Sequence, residues 1–241
     1  MAREAFRFRK FQVSHHRSSM PVGTDAVLLG AWADTGVCLS HPQARVLDVG
    51  CGCGLIALMV AQRCPSVTVV GIDIDPPSIE EANENALQSP FADRVGFLLA
   101  DVCDFAFRDV EKYELILCNP PYYTEDTLPP DERRSRARNT SSLSFAQLLR
   151  SVSALLAADG AFSVVIPMQA RDVFVGQAML HGLHLHRECR VVTVSSKTPK
   201  RVLLEFGFQS HMDVILSSLV LQEPGGGRSR EYAELCKDFY L

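Results

Sequence analysis

Strand-like and helix-like signals alternate along this chain from Arg45 to Phe208. Short apolar runs bounded by turn residues read as buried strands, and longer stretches with helical start and stop signals read as helices. Strands are expected at Val46 to Gly50, Thr68 to Asp73, Val95 to Leu99, Tyr113 to Cys118 and Phe162 to Ile166. Helices are expected at Leu55 to Arg63, from Pro76-Pro77 through Ala86, at Ser144 to Ala157 closed by Asp159-Gly160, and at Gln169 to Leu180. Such alternation implies a parallel sheet with helices on both faces. Leu183 to Val194 and Val202 to Phe208 stand too close together for a helical crossover, so they should pair as a hairpin or lie as neighbours near the sheet edge. Val214 to Leu221 is a candidate further strand, and Glu231 to Phe239 a closing helix. Ahead of the first core strand, Phe6-Arg7-Phe8 alternates like a strand, and Thr24-Asp25 reads as the N-cap of a helix through Trp32.

The fold class expected is α/β. It is a single doubly wound, Rossmann-like domain over residues 1–241, with a seven-stranded, mostly parallel sheet and an antiparallel closing strand. Within it, residues 1–43 are expected as a covering segment, 44–210 as the core and 211–241 as an extension. The length of 241 residues suits one such domain. Hydrophobic content of 47% and charged content of 22% are ordinary for a globular protein. No apolar run approaches the ~20 residues of a membrane span. The charged start, Met1 to Arg7, lacks the apolar core of a signal peptide, so a cytoplasmic location is expected. The eight cysteines are scattered and fall in apolar segments, where they read as small hydrophobes rather than a disulfide framework. Cys51 and Cys53 have no second ligand pair nearby, and no metal is expected.

Asn119-Pro120-Pro121-Tyr122 follows the fourth core strand. It therefore sits at a strand's carboxyl end, where open α/β sheets hold ligands. The tetrad suits an NH2 group on an sp2 carbon. The Asn119 side-chain oxygen accepts one N–H, and a carbonyl of the proline-fixed run accepts the other. Tyr122 offers a face for stacking a ring. The same residues also read as a proline-rich turn, so the rest of the chain has to decide.

Gly50-Cys51-Gly52-Cys53-Gly54 joins the first core strand to the first core helix, as a loop that a ligand can approach closely. Asp73 ends the second strand, where an acid can hold both ribose hydroxyls, and Asp101 follows the third, where an acceptor can take an adenine amino group. Asp48 lies inside the first strand's end, near where a cationic amino-acid moiety would sit. Gly50, Gly52 and Gly54 are spaced G-x-G-x-G and depart from the dinucleotide form G-x-G-x-x-G. S-adenosylmethionine (SAM) fits this pattern better than a dinucleotide.

These residues resemble class I SAM-dependent methyltransferases, and N-P-P-Y is similar to the signature of members that methylate adenine N6, guanine N2 or glutamine N5. Four further stretches resemble the bacterial tRNA1(Val) (adenine-N6)-methyltransferase family. They are the front segment through P-V-G-T-D-A-V-L-L-G-A-W, N-P-P-Y-Y, R-x-R-N-T at Arg136 to Thr140, and K-R-V-L-L-E-F at Lys200 to Phe206. The resemblance implies SAM as methyl donor, S-adenosyl-L-homocysteine as product, and an anticodon-loop adenosine of tRNA as acceptor. It implies a catalytic tetrad Asn119, Pro120, Pro121 and Tyr122. The cofactor set is Thr24, Asp48, Gly50, Gly52, Gly54, Asp73, Asp101, Val102 and Asn119.

The net charge of −4 argues against wholesale coating by nucleic acid but not against local patches. Arg134, Arg136 and Arg138 follow the tetrad, and Lys197, Lys200 and Arg201 form a later cluster. Both are expected to hold phosphates. A basic front cluster includes Arg7, Arg9, Lys10 and Arg17. A monomer with no membrane and no stable protein partner is expected. The alternatives are a glutamine-N5 methyltransferase acting on a protein, an enzyme acting on rRNA or DNA, an NAD-dependent dehydrogenase and a non-catalytic SAM-binding module. About 45 residues precede the first motif at Val46, too few for the separate recognition domain a glutamine methyltransferase would be expected to carry.

Overall fold

The structure, a computed structural model, describes residues 5–18, 21–41, 43–108, 111–120, 143–210 and 213–241. A small antiparallel hairpin, β1 (Phe6–Arg7) and β2 (Gln12–Val13), precedes helices α1 (Thr24–Trp32) and α2 (Gly36–Ser40). Alternating elements follow: β3 (Arg45–Val49), α3 (Leu55–Arg63), β4 (Thr68–Asp73), α4 (Pro76–Leu87), β5 (Val95–Leu99), α5 (Val102–Arg108) and β6 (Tyr113–Cys118). Beyond them lie α6 (Phe145–Leu155), β7 (Leu156–Pro167), α7 (Arg171–Leu180), β8 (His184–Val194), β9 (Arg201–Gly207), β10 (Ile215–Gln222) and α8 (Arg230–Leu235).

The main sheet runs β10-β8-β9-β7-β6-β3-β4-β5. Among the described strands of this sheet only β9 is antiparallel to its neighbours. The expected doubly wound form is borne out, because one apolar layer packs α1, α3, α4 and α8 on one face and another packs α5, α6 and α7 on the other. The expected hairpin is the β8–β9 pair. The strand count is corrected from seven to eight, since β10 pairs in parallel along β8 and covers an edge that would otherwise stay open.

Two boundaries differ from expectation for local reasons. Helix α6 ends at Leu155, and Asp159-Gly160 lies inside β7 instead of stopping a helix. Tyr113 pairs with Leu156 but Leu115 pairs with Ala161, so β7 bulges between them. Gly160 permits this bulge: a Cβ there would meet the Tyr113 carbonyl at 3.0 Å and Leu156 at 2.9 Å. Thr24 is not a cap. It is the first residue of α1, whose N-cap is Gly23 with no side-chain bond. By contrast Asp75 caps α4, accepting from the Ser78 N–H at 3.2 Å and its hydroxyl at 2.6 Å, with prolines in the first turn. Seven of the eight cysteines are buried and all are free thiols, as their apolar settings suggest.

Candidate functional site

The loop between β3 and α3 turns tightly because Gly50, Gly52 and Gly54 all have positive φ, at 70°, 52° and 83°. Its path is fixed by N–H donation from Gly50 and Cys51 to the Ile72 carbonyl (2.8 and 3.0 Å) and from Gly52 to Asp73 Oδ2 (2.9 Å). A Cβ added at Gly50 or Gly52 would meet nothing within 4 Å, so the loop edges an open space. At Gly54 a Cβ would strike the Phe97 ring at 2.5 Å. The third glycine therefore makes room for an aromatic ring of β5 behind the loop.

Asp48 lies beneath this loop and is fully buried. Its Oδ2 accepts the Ala57 N–H at 3.1 Å, closing the first turn of α3, whose glycine N-cap offers no side chain. Its Oδ1 has no hydrogen-bond partner among the described residues. Burial pushes the Asp48 carboxyl up to about 7, against the pull of the Ala57 N–H and with a contribution from the charge on Asp73.

A cavity of about 360 Å³ opens over the loop. Residues 21–26, 50–53, 55 and 56 line it together with Asn119. The glycine loop and Asn119 meet there because β3 and β6 are adjacent parallel strands, Val49 beside Cys118, so their carboxyl ends emerge together. Asn119 is half-buried and Pro120 buried. Thr24, exposed in the first turn of α1, belongs to the opposite wall. Pro121, Tyr122, Arg134, Arg136 and Arg138 lie outside the described residues, as does the rest of the R-x-R-N-T stretch.

A second hollow, of about 500 Å³, lies past the end of β4 and against β5 and α5. Ile74, Leu98 and Leu99 form its apolar lip, each more than half exposed. Asp101 also lines it, exposed, and its Oδ1 accepts the Cys103 N–H at 2.7 Å, which makes it a cap of α5 as well. Val102 opens α5 with a buried side chain, so its backbone is the part that can meet a ligand. Asp73 lines neither hollow but lies in contact with the loop of the first and next to Ile74 of the second. One oxygen holds the glycine loop and the other accepts the Asp75 N–H at 3.0 Å, while the adjacent Ile74 enters the second hollow. Asp75 is committed to its cap.

The later basic cluster divides. Lys197 and Lys200 are exposed on the turn between β8 and β9. That turn lies at the same sheet end as Asn119, because Arg201 pairs with Pro167 at the end of β7. Arg201 itself points to α1, with Nε 2.9 Å from Asp25 Oδ2. In the front cluster, Arg17 is paired with Glu80 and Glu84. Sequence reasoning missed the Asp25–Arg201 pair and the exposed apolar lip. The lip had a local signal in Leu98-Leu99, two large apolar side chains in succession at the end of an edge strand; the ion pair had none.

A family model described as a methyltransferase domain matches residues 40–207. The chain is 39% identical over its whole length to the tRNA1(Val) (adenine(37)-N6)-methyltransferase of Bacteroides fragilis, covering 99% of that protein. It is 40% identical, over 98% of the chain and 97% of the relative, to the protein of the same name in Phocaeicola vulgatus. A solved structure described as a predicted O-methyltransferase of Agrobacterium tumefaciens superposes with a TM-score of 0.68 at 20% identity, covering 89% of this chain and 96% of that one; it shares the fold. With its glycine loop, Asn119 and full-length relatives in agreement, this chain belongs to the tRNA1(Val) (adenine(37)-N6)-methyltransferase family.

Proposed function

We propose that this chain transfers a methyl group from SAM to the exocyclic N6 of an adenosine in tRNA, at position 37 of tRNA1(Val) as its relatives' names state. The observation that carries this reading is the shared cavity: Asn119, at the end of β6, faces the same space as the open glycine loop. The residues fit SAM. Empty space beside Gly50 and Gly52 admits a ligand backbone, and the unpartnered Asp48 oxygen favours a positive charge nearby. Asp73 stands between the two hollows as an acceptor for ribose hydroxyls, and the Ile74–Leu98–Leu99 lip with Asp101 suits a flat ring bearing an amino group.

When bound, SAM supplies an electrophilic methyl group on a sulfonium. The protein's part is alignment. The Asn119 side-chain oxygen accepts one N–H of the adenine amino group, and the Pro120 carbonyl accepts the other. These bonds draw the nitrogen lone pair out of the ring and point it along the transfer direction. Holding both reactants this way can supply ~7–11 kcal/mol of the barrier. Tyr122 provides the stacking face for the extruded base. Lys197, Lys200, Arg134, Arg136 and Arg138 hold phosphates, residues 1–43 cover the cofactor, and the chain acts as a cytoplasmic monomer. No described helix is long and apolar enough to cross a membrane.

Asn119→Ala should lower kcat for methyl transfer to unmodified tRNA by about 10²–10³-fold, the scale of one lost transition-state hydrogen bond. SAM affinity should stay within a few-fold. Undiminished transfer in that variant would overturn the mechanism. Offering tRNA, rRNA, DNA and a glutamine-bearing release factor side by side, with labelled SAM, tests the acceptor; preferential labelling of the protein would overturn the adenosine assignment.

A further inference from the structure

Helix α1 forms one wall of the cavity, yet it has no side-chain cap, so something else must fix its first turn. Strand β9 grips it at both ends. At the start, Asp25 Oδ2 accepts from Arg201 Nε at 2.9 Å, with both side chains largely withdrawn from solvent. Just past the far end, the Asp34 N–H donates to Glu205 Oε2 at 3.2 Å. Glu205 is itself buried and also receives Arg187 (2.9 Å) and the Ser163 hydroxyl (3.2 Å). The Arg187 guanidinium in turn lies over the Trp32 ring at 4.3 Å. The spacings match. From 25 to 32 helix α1 rises roughly 10–11 Å at 1.5 Å per residue before two non-helical residues reach Asp34, and from 201 to 205 a strand spans about 13 Å at 3.3 Å per residue.

We propose that Asp25 and Arg201 are a positioning pair that holds the first turn of α1 in register with β9 and so sets the width of the cofactor cavity. This deepens the SAM reading and rests on it. It also gives Arg201 a role different from its neighbours Lys197 and Lys200. Arg201 lies next to the basic turn but directs its guanidinium inward. The turn is braced at the same point, because the Lys200 carbonyl accepts from Met168 N–H at 3.1 Å and from Arg201 Nη1 at 3.2 Å.

The test is a double-mutant cycle with Asp25→Asn, Arg201→Gln and the pair together, read in three ways. A positioning pair raises the SAM dissociation constant and KM by about tenfold in each single variant, with the double variant no worse and kcat at saturating SAM little changed. It leaves tRNA affinity and its salt slope as in the wild type, and it speeds amide hydrogen exchange in the first turn of α1 in all three variants. A phosphate ligand gives another pattern: Arg201→Gln alone weakens tRNA binding and lowers the salt slope by about one, which overturns the proposal. A merely structural pair lowers the melting temperature but leaves SAM affinity unchanged well below it, which also overturns it. If the wild-type chain itself fails to bind SAM, the methyl-donor reading falls, and exchange in α1 still decides the pair.

Discussion

Asp48 carries a measurable signature of its position. Its folded carboxyl lies at about 7, raised by burial, so the folded state holds this proton more tightly than the unfolded state does. The sign follows: the contribution to stability is full below the unfolded value near 4 and is lost as pH rises through about 7. The stability lost should amount to a few kcal/mol, at about 1.4 kcal/mol for each tenfold difference in proton affinity between the two states. Urea unfolding of wild type and Asp48→Asn at pH 5 and pH 8 reads it directly. The wild type should lose stability over that interval relative to the variant; parallel behaviour of the two would show that Asp48 is ionised throughout. Saturating SAM should flatten the wild-type slope if its cationic end lies near this carboxylate.

The glycines of the loop separate on a second test. Gly54→Ala drives a Cβ into Phe97 and should cost about 1–3 kcal/mol of stability from overpacking, plus about 1–2 from the left-handed backbone. Gly52→Ala meets no protein atom and should cost only the backbone part, but its methyl group enters the cofactor space and should raise KM for SAM. The G-x-G-x-G spacing made the loop legible in the sequence. The reason for its third glycine was not legible, because Phe97 lies on another strand and no local spacing links the two. Asp25 and Arg201 are harder still, at a sequence separation of 176. Asn119 and Pro120 were legible because strand, turn and site are consecutive there.

At the scale of elements, the segment from His16 to Ser18 is held along α4 by one buried carboxylate. Glu81 accepts the N–H groups of His16 (2.7 Å), Arg17 (3.1 Å) and Ser18 (2.9 Å), and the Ser18 hydroxyl at 2.6 Å. Burial works to raise this carboxyl, but the Ser18 hydroxyl and the three N–H groups together hold it below its ordinary value. The clamp is therefore fully present above the ordinary carboxylate range and is lost as pH falls through the lowered folded value. Glu81→Gln should cost about 1–3 kcal/mol and speed trypsin cleavage after Arg17. An unchanged cleavage rate in Glu81→Gln would show that the segment is held by other contacts. Core elements were legible from apolar runs and prolines. The α6–β7 boundary was not, since Asp159-Gly160 has the composition of a helix stop and acts instead as a bulge in a strand whose partner, Tyr113, is distant in sequence.

At the scale of the molecule, the two ends of the chain meet. Phe8 and Phe11 of the first hairpin share a hydrophobic layer with Tyr232, Cys236 and Phe239, and the Arg9 N–H donates to the Phe239 carbonyl at 2.9 Å. Phe239→Ala should therefore cost about 3–5 kcal/mol, the range for a buried ring, and it should loosen the amino-terminal hairpin in hydrogen exchange; a change confined to α8 would show that the ends are independent. The alternation of elements gave away the class of fold, whereas the eighth strand was legible only as a candidate at Val214 to Leu221 and was left out of the expected count, because β10 is largely exposed and lacks a sharp apolar alternation. The place of β9 has a consequence for how the protein is made. Strand β7 is complete at Pro167, but the strand that covers its outer edge ends only at Gly207. At a synthesis rate of 5–20 residues per second, residues 168–207 take about 2–8 s to appear. During that interval the nascent chain presents an uncovered row of N–H and C=O groups to its neighbours on the polysome, a template for pairing between chains. Nascent chains stalled before β9 should accordingly depend on chaperones to stay unaggregated, and chains that carry both β9 and β10 should depend on them less.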